Sequence, residues 1–108
     1  MIQETIQRLE ARLRGSEALP ENTRDELLTL LATLRAEIAQ LPAASATQAQ
    51  NIAELTDRSA KEAAARNPER LQRALDELVD AARGFEESHP QLVQIVNNIA
   101  NTLASLGI

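Results

Sequence analysis

The chain has 108 residues, 44% of them apolar with a single aromatic, and 16 acidic against 11 basic side chains give it a net charge of −5. That length is one domain with a modest core, and the acidic balance speaks against a nucleic-acid groove or an anionic membrane surface as partner. With no cysteine and one histidine, disulfides, thiolate zinc sites, a thiol nucleophile and a multi-histidine metal centre within one protomer are excluded, and no cofactor is expected.

Met1-Ile2-Gln3-Glu4 carries an acid and polar breaks where a signal peptide needs a basic start and an apolar run, so the expected address is cytoplasmic. Ile2, Ile6, Leu9 and Leu13 then form a narrow stripe that predicts a helix over residues 2 to 14, with Glu4 near its start, Arg12 and Arg14 near its end and Gly15 beyond. Glu4 and Arg8, like Glu10 and Arg14, are four apart in the favourable order, so these arginines read as solvated ion pairs and not as an anion site. A second helix is expected from Pro20-Glu21-Asn22 to about Leu41, ahead of Pro42. Its Leu27, Leu31, Leu34, Ile38 and Leu41 make a heptad seam, and Leu28 and Leu30 widen that seam to two neighbours. The short connection Gly15-Ser16-Glu17-Ala18-Leu19 predicts that the first two helices form an antiparallel hairpin.

Between residues 43 and 67 the apolar signal weakens. Ser45-Ala46-Thr47-Gln48 fits a capping box, and the alanine-rich run to Arg66 has high helix propensity. Only Ile52 and Leu55 are large there. A face of Ala49, Ala53, Ser59, Ala60 and Ala63 implies either very close packing or a loosely held helix. Asn67-Pro68-Glu69 supplies a cap, a first-turn proline and an acidic first turn, and so marks a new helix.

In that fourth helix Leu71, Leu75, Leu78, Ala82 and Phe85 step by four and three, so the helix is expected to run through Gly84 to bring Phe85 onto its stripe. Pro90 disfavours helical backbone at His89 and suits a first turn, making His89 the cap of a last helix. Leu92, Val96, Ile99, Leu103 and Leu106 repeat the apolar steps. Gly107 is expected to turn left-handed and fold Ile108 back onto Leu103.

Phe85-Glu86-x-Ser88-His89-Pro90-x-Leu92, followed by Ile99, Leu103 and Leu106-Gly107-Ile108, resembles the C-terminal signature of a family of short, uncharacterised bacterial helical proteins, a domain of unknown function. The resemblance covers roughly the last third of the chain, with a weaker echo at Asn67-Pro68. It implies no assigned activity and no catalytic residues.

The expected fold is an all-α bundle of four or five helices, built from antiparallel helical hairpins with coiled-coil-like packing. Residues 1–42 would form an N-terminal helical hairpin, 43–67 an alanine-rich helical connector and 68–108 a C-terminal helix pair, in one domain. Glu86, Glu87, Ser88 and His89 place carboxylates, a hydroxyl and an imidazole side by side. Acid–base and nucleophilic catalysis, however, draw converging groups from separate segments into a cleft. Phe85, Ser88, His89 and Pro90 therefore read as an architectural corner, with Ser88 or His89 capping the last helix and Gly107 and Ile108 as its stop. The three glycines are isolated, so there is no phosphate loop, and no helix carries the paired Glu and His of a di-metal bundle. An enzyme is not expected.

Residues 67–89 hold six acidic and three basic side chains, whereas 90–108 hold no charge at all. Gln91, Gln94, Asn98, Asn101 and Ser105 lie in a row opposite the apolar stripe of the last helix. Amides lose less than charges on desolvation and can pair with one another, so the row is expected to be covered at the interface of a homodimer. The functional expectation is self-association and contact with another protein. One alternative is an enzymatic or regulatory site at Ser88-His89. The other is peripheral membrane attachment by the last helix, which lacks the Lys and Arg such helices carry.

Overall fold

All four prolines stand at the start of a helix or helical turn, where the missing N–H leaves no hydrogen bond unmade. The computed structural model describes residues 2–16 and 19–106. In it the chain forms α1 (Ile2–Arg14), α2 (Glu21–Ala39), α3 (Ala46–Ala64), α4 (Pro68–Arg83) and α5 (Pro90–Leu106). Among the described residues there is no strand, and the protein is an all-α bundle of five helices. The stop expected at Gly107 and Ile108 lies outside the described residues.

The helices pack in a ring whose order differs from the chain order. α1 touches α2 and α3, α2 also touches α5, α5 touches α4, and α4 touches α3, while α3 also meets α5 across the middle. Thr5 opposite Gln50 and Arg12 opposite Asp57 show that α1 and α3 run the same way. Thr102 near the end of α5 reaches Glu26 near the start of α2, so that pair is antiparallel. A closed ring of five alternating helices must contain one parallel pair. The expected bundle of helical hairpins is present in α1–α2, α3–α4 and α4–α5, and closing the ring adds one parallel contact, since α1 sits between α2 and α3 and runs parallel to α3.

The apolar stripes meet inside this ring. Ile6, Leu9, Leu27, Leu31, Leu34, Ile52, Leu78, Leu92, Val96, Ile99 and Leu103 are the largest fully buried apolar side chains. Leu41, past the end of α2, is only partly buried. The alanine-rich stretch is more than a connector, because α3 holds the centre and buries Ala49, Ala53, Ser59, Ala60 and Ala63 along with Ile52 and Leu55. Small side chains let α1, α4 and α5 approach it closely. Its buried hydroxyls are satisfied within the helix: Thr56 donates to the Ile52 carbonyl and Ser59 to that of Leu55, each at 2.8 Å.

Two helix ends differ from the sequence reading. The expected capping box at Ser45 does not form, since Ser45 makes no side-chain cap bond. A 3-10 turn over Ala43–Ser45 instead feeds the chain straight into α3. The α-helical part of α4 stops at Arg83, ahead of Phe85. Phe85 and Glu86 nevertheless donate to the carbonyls of Ala82 and Arg83, so the chain keeps turning with tighter bonds and still delivers Phe85 to the core. Gly84 is right-handed, and a Cβ there would meet only the Ala81 carbonyl oxygen at 3.8 Å, so no neighbouring backbone depends on its being glycine.

The stop between α3 and α4 is unusually economical. Arg66 has φ 56°, the left-handed conformation that favours glycine. Asn67 N–H donates to the Glu62 carbonyl and Arg66 N–H to that of Ala63, which is the Schellman pattern. Asn67 then caps α4, its side-chain oxygen accepting from the Arg70 N–H at 3.2 Å. Because Arg66 is exposed and carries a Cβ in left-handed space, Arg66→Gly is expected to raise stability by about 0.5–1 kcal/mol, read from urea denaturation followed by far-UV circular dichroism.

Candidate functional site

The corner before α5 is held by packing and backbone. Phe85 is 6% exposed, and the His89 ring meets it edge-on with centroids 6.0 Å apart and planes at 61°. His89 N–H donates to the Phe85 carbonyl at 2.7 Å, and the His89 carbonyl accepts from Leu92 and Val93 to open α5. The expected side-chain cap is absent: among the described residues neither Ser88 nor the imidazole makes a hydrogen bond. Glu86, Glu87, Ser88 and Pro90 are exposed, so the corner does not gather its polar groups into a cleft.

On α5, Gln91, Gln94, Asn98, Asn101 and Ser105 are all exposed, and the row they form is continuous. Ser105 donates to the Thr102 carbonyl, and Thr102 donates to the Asn98 carbonyl and reaches Glu26 of α2. The Thr102 contact sets one flank of α5, with Ile95 and Leu106, against α2. Val93 and Ala104 occupy the other flank. All four are partly buried, so the amide face has apolar margins.

A family model described as a domain of unknown function, DUF4404, matches residues 27–108. The chain belongs to the DUF4404 family. In this DUF4404 protein the match takes in most of α2 and all of the described parts of α3, α4 and α5, and it leaves out α1. No curated protein and no solved structure matches the chain. Among the described residues, no helix is long and apolar enough to cross a membrane, and no group of three or more His, Asp or Glu is placed to hold a metal ion.

Sequence reasoning missed a second polar grouping, along the seams that α1 makes with α2 and α3. Glu10 was read as the partner of Arg14, but it is only 5% exposed and turns inward to accept from Arg35 of α2 at 2.7 Å. Arg8 contacts the Thr5 hydroxyl. Arg12 pairs instead with Asp57 of α3, whose other carboxylate oxygen is 3.3 Å from Lys61. The interleaved acids of α1 hid this arrangement, because sequence spacing does not show which flank each acid takes once two neighbouring helices are present.

Proposed function

We propose that this DUF4404 protein acts by self-association in the cytoplasm, as a homodimer joined through the exposed amide face of α5. The observation that carries the reading is that α5 has no charged side chain in a chain of net charge −5. An amide donates and accepts at once, so the same row can face its own copy across a two-fold axis, which a row of carboxylates cannot do. Glu26 and Glu37 share the flank of α2 beside it, three turns apart. The α5 face itself brings no charge to a meeting of two acidic copies. Val93, Ile95, Ala104 and Leu106 supply apolar surface at its margins.

Light scattering at micromolar concentration is expected to give the dimer mass. Asn98→Lys and Asn101→Lys should each weaken association by well over the ~0.5 kcal/mol of an ordinary surface change, because an ammonium would lose water and face its own copy. Added salt should tighten the dimer roughly fivefold between low and moderate ionic strength, since screening relieves repulsion between like-charged protomers. A monomer mass, or variants that keep both wild-type mass and melting temperature, would remove the α5 interface.

A further inference from the structure

The seam between α1 and α3 lies across the ring from the exposed face of α5 and takes no part in the proposed dimer. It holds two adjoining hollows that share Arg12 and Lys61. One, of about 170 Å³, is lined by Leu9, Leu13, Leu19, Ala60 and Ala64. The other is a polar furrow of about 470 Å³ with Arg8, Thr5, Ala11 and Asp57 along it. An apolar recess and a charged recess therefore open side by side over the same pair of cations.

Charge is unbalanced there. The linings of the two hollows bring together three cations, Arg8, Arg12 and Lys61, and one carboxylate, Asp57. Both Asp57 oxygens are taken, one by Arg12 and one by Lys61. Arg8 forms no ion pair among the described residues, and Glu54, one turn earlier on α3, is engaged by Gln50 at 3.0 Å. In a chain of net charge −5, the linings of these two hollows are a local cationic excess.

We infer that the α1–α3 seam binds a small carboxylate with a short apolar tail, the carboxylate held by Arg8, Arg12 and Lys61 and the tail in the Leu9–Leu13–Leu19 hollow. A guanidinium presents a planar fork that matches a carboxylate. A monoanion suits a site that already contains Asp57 better than a doubly charged phosphate. The hollow has the volume of five or six water molecules at about 30 Å³ each, which fits a tail of about five carbons.

Hexanoate is the probe, titrated into the ¹⁵N-labelled protein and followed amide by amide. The expected result is a saturable set of shifts confined to the second half of α1 and the last three turns of α3. Acetate, which has the head without the tail, and hexanol, which has the tail without the head, should each bind at least tenfold more weakly. Lys61 has a 59% exposed side chain and Ala64 is exposed, so Lys61→Gln and Ala64→Leu should keep the wild-type circular dichroism spectrum and melting temperature. The first should weaken hexanoate severalfold through the head, and the second should abolish its binding by filling the hollow. No saturable shift with hexanoate, an equal response to acetate, or unchanged binding in both variants would overturn the site.

Discussion

Phe85→Ala is expected to lower the unfolding free energy by about 3–5 kcal/mol, the range for truncating a buried phenylalanine. That is a large fraction of the roughly 5–15 kcal/mol that holds a domain of this size together. Phe85 is the only aromatic of the chain, and it is the buried anchor of a stretch from Gly84 to His89 that otherwise exposes most of its side chains. Its loss removes core volume and also frees the His89 ring, which rests on it. The bend that aims α5 back along α2 and α4 would then rest on the turn hydrogen bonds alone. With no tyrosine or tryptophan in the chain, the measurement is urea unfolding by far-UV circular dichroism. Phe85→Leu, which keeps most of the volume, should recover more than half of the loss. A cost under about 1 kcal/mol for the alanine variant would show that the corner is held without the ring.

Ala53→Leu should be the next most damaging change, at about 3 kcal/mol, the upper part of the range for overpacking a filled core. Ala53 is 0% exposed and sits on α3, which meets α1, α4 and α5. Three added carbons have no free direction to take, and separating any one pair of helices disturbs the other two. Ala32→Leu is the control. Ala32 is exposed within α2, so the same enlargement should move stability by no more than about 0.5 kcal/mol. Equal melting temperatures for the two variants would mean that α3 is loosely held despite its burial.

What the sequence made legible follows from how local each signal is. The span of α1, the proline starts of α4 and α5 and the Asn67 cap are set by residues within one turn of the boundary, and the structure has them where the spacing predicts. Leu27, Leu31, Leu34 and Ile38 are buried as their seam requires. The role of α3 was not legible, because alanine carries little hydrophobic signal and the same pattern describes a tightly packed helix and a solvated one. Ring order was also hidden: that α1 lies beside α3, and that Glu10 reaches Arg35, depends on which neighbours each stripe finds. At the corner, residue identities were informative but their use was not. A histidine before proline reads as a cap, and here the ring meets Phe85 edge-on while the backbone opens the helix. The grouping of Arg8, Arg12 and Lys61 joins segments almost fifty residues apart, beyond any motif spacing.

The shared use of Asn67 makes the α3–α4 hairpin a part of fixed length. Asn67 belongs at once to the closing motif of α3 and to the opening cap of α4, so no residue lies between the two capping motifs to absorb an insertion. One extra residue at this point would turn α4 by about 100° about its axis, carrying Leu71, Leu75 and Leu78 out of the core and putting Arg70 and Glu77 in the places of Leu71 and Leu78. Length variation is therefore barred here, where two capping motifs share a single asparagine, and any tolerance for it belongs to the longer connections at residues 15–20, 40–45 and 84–89.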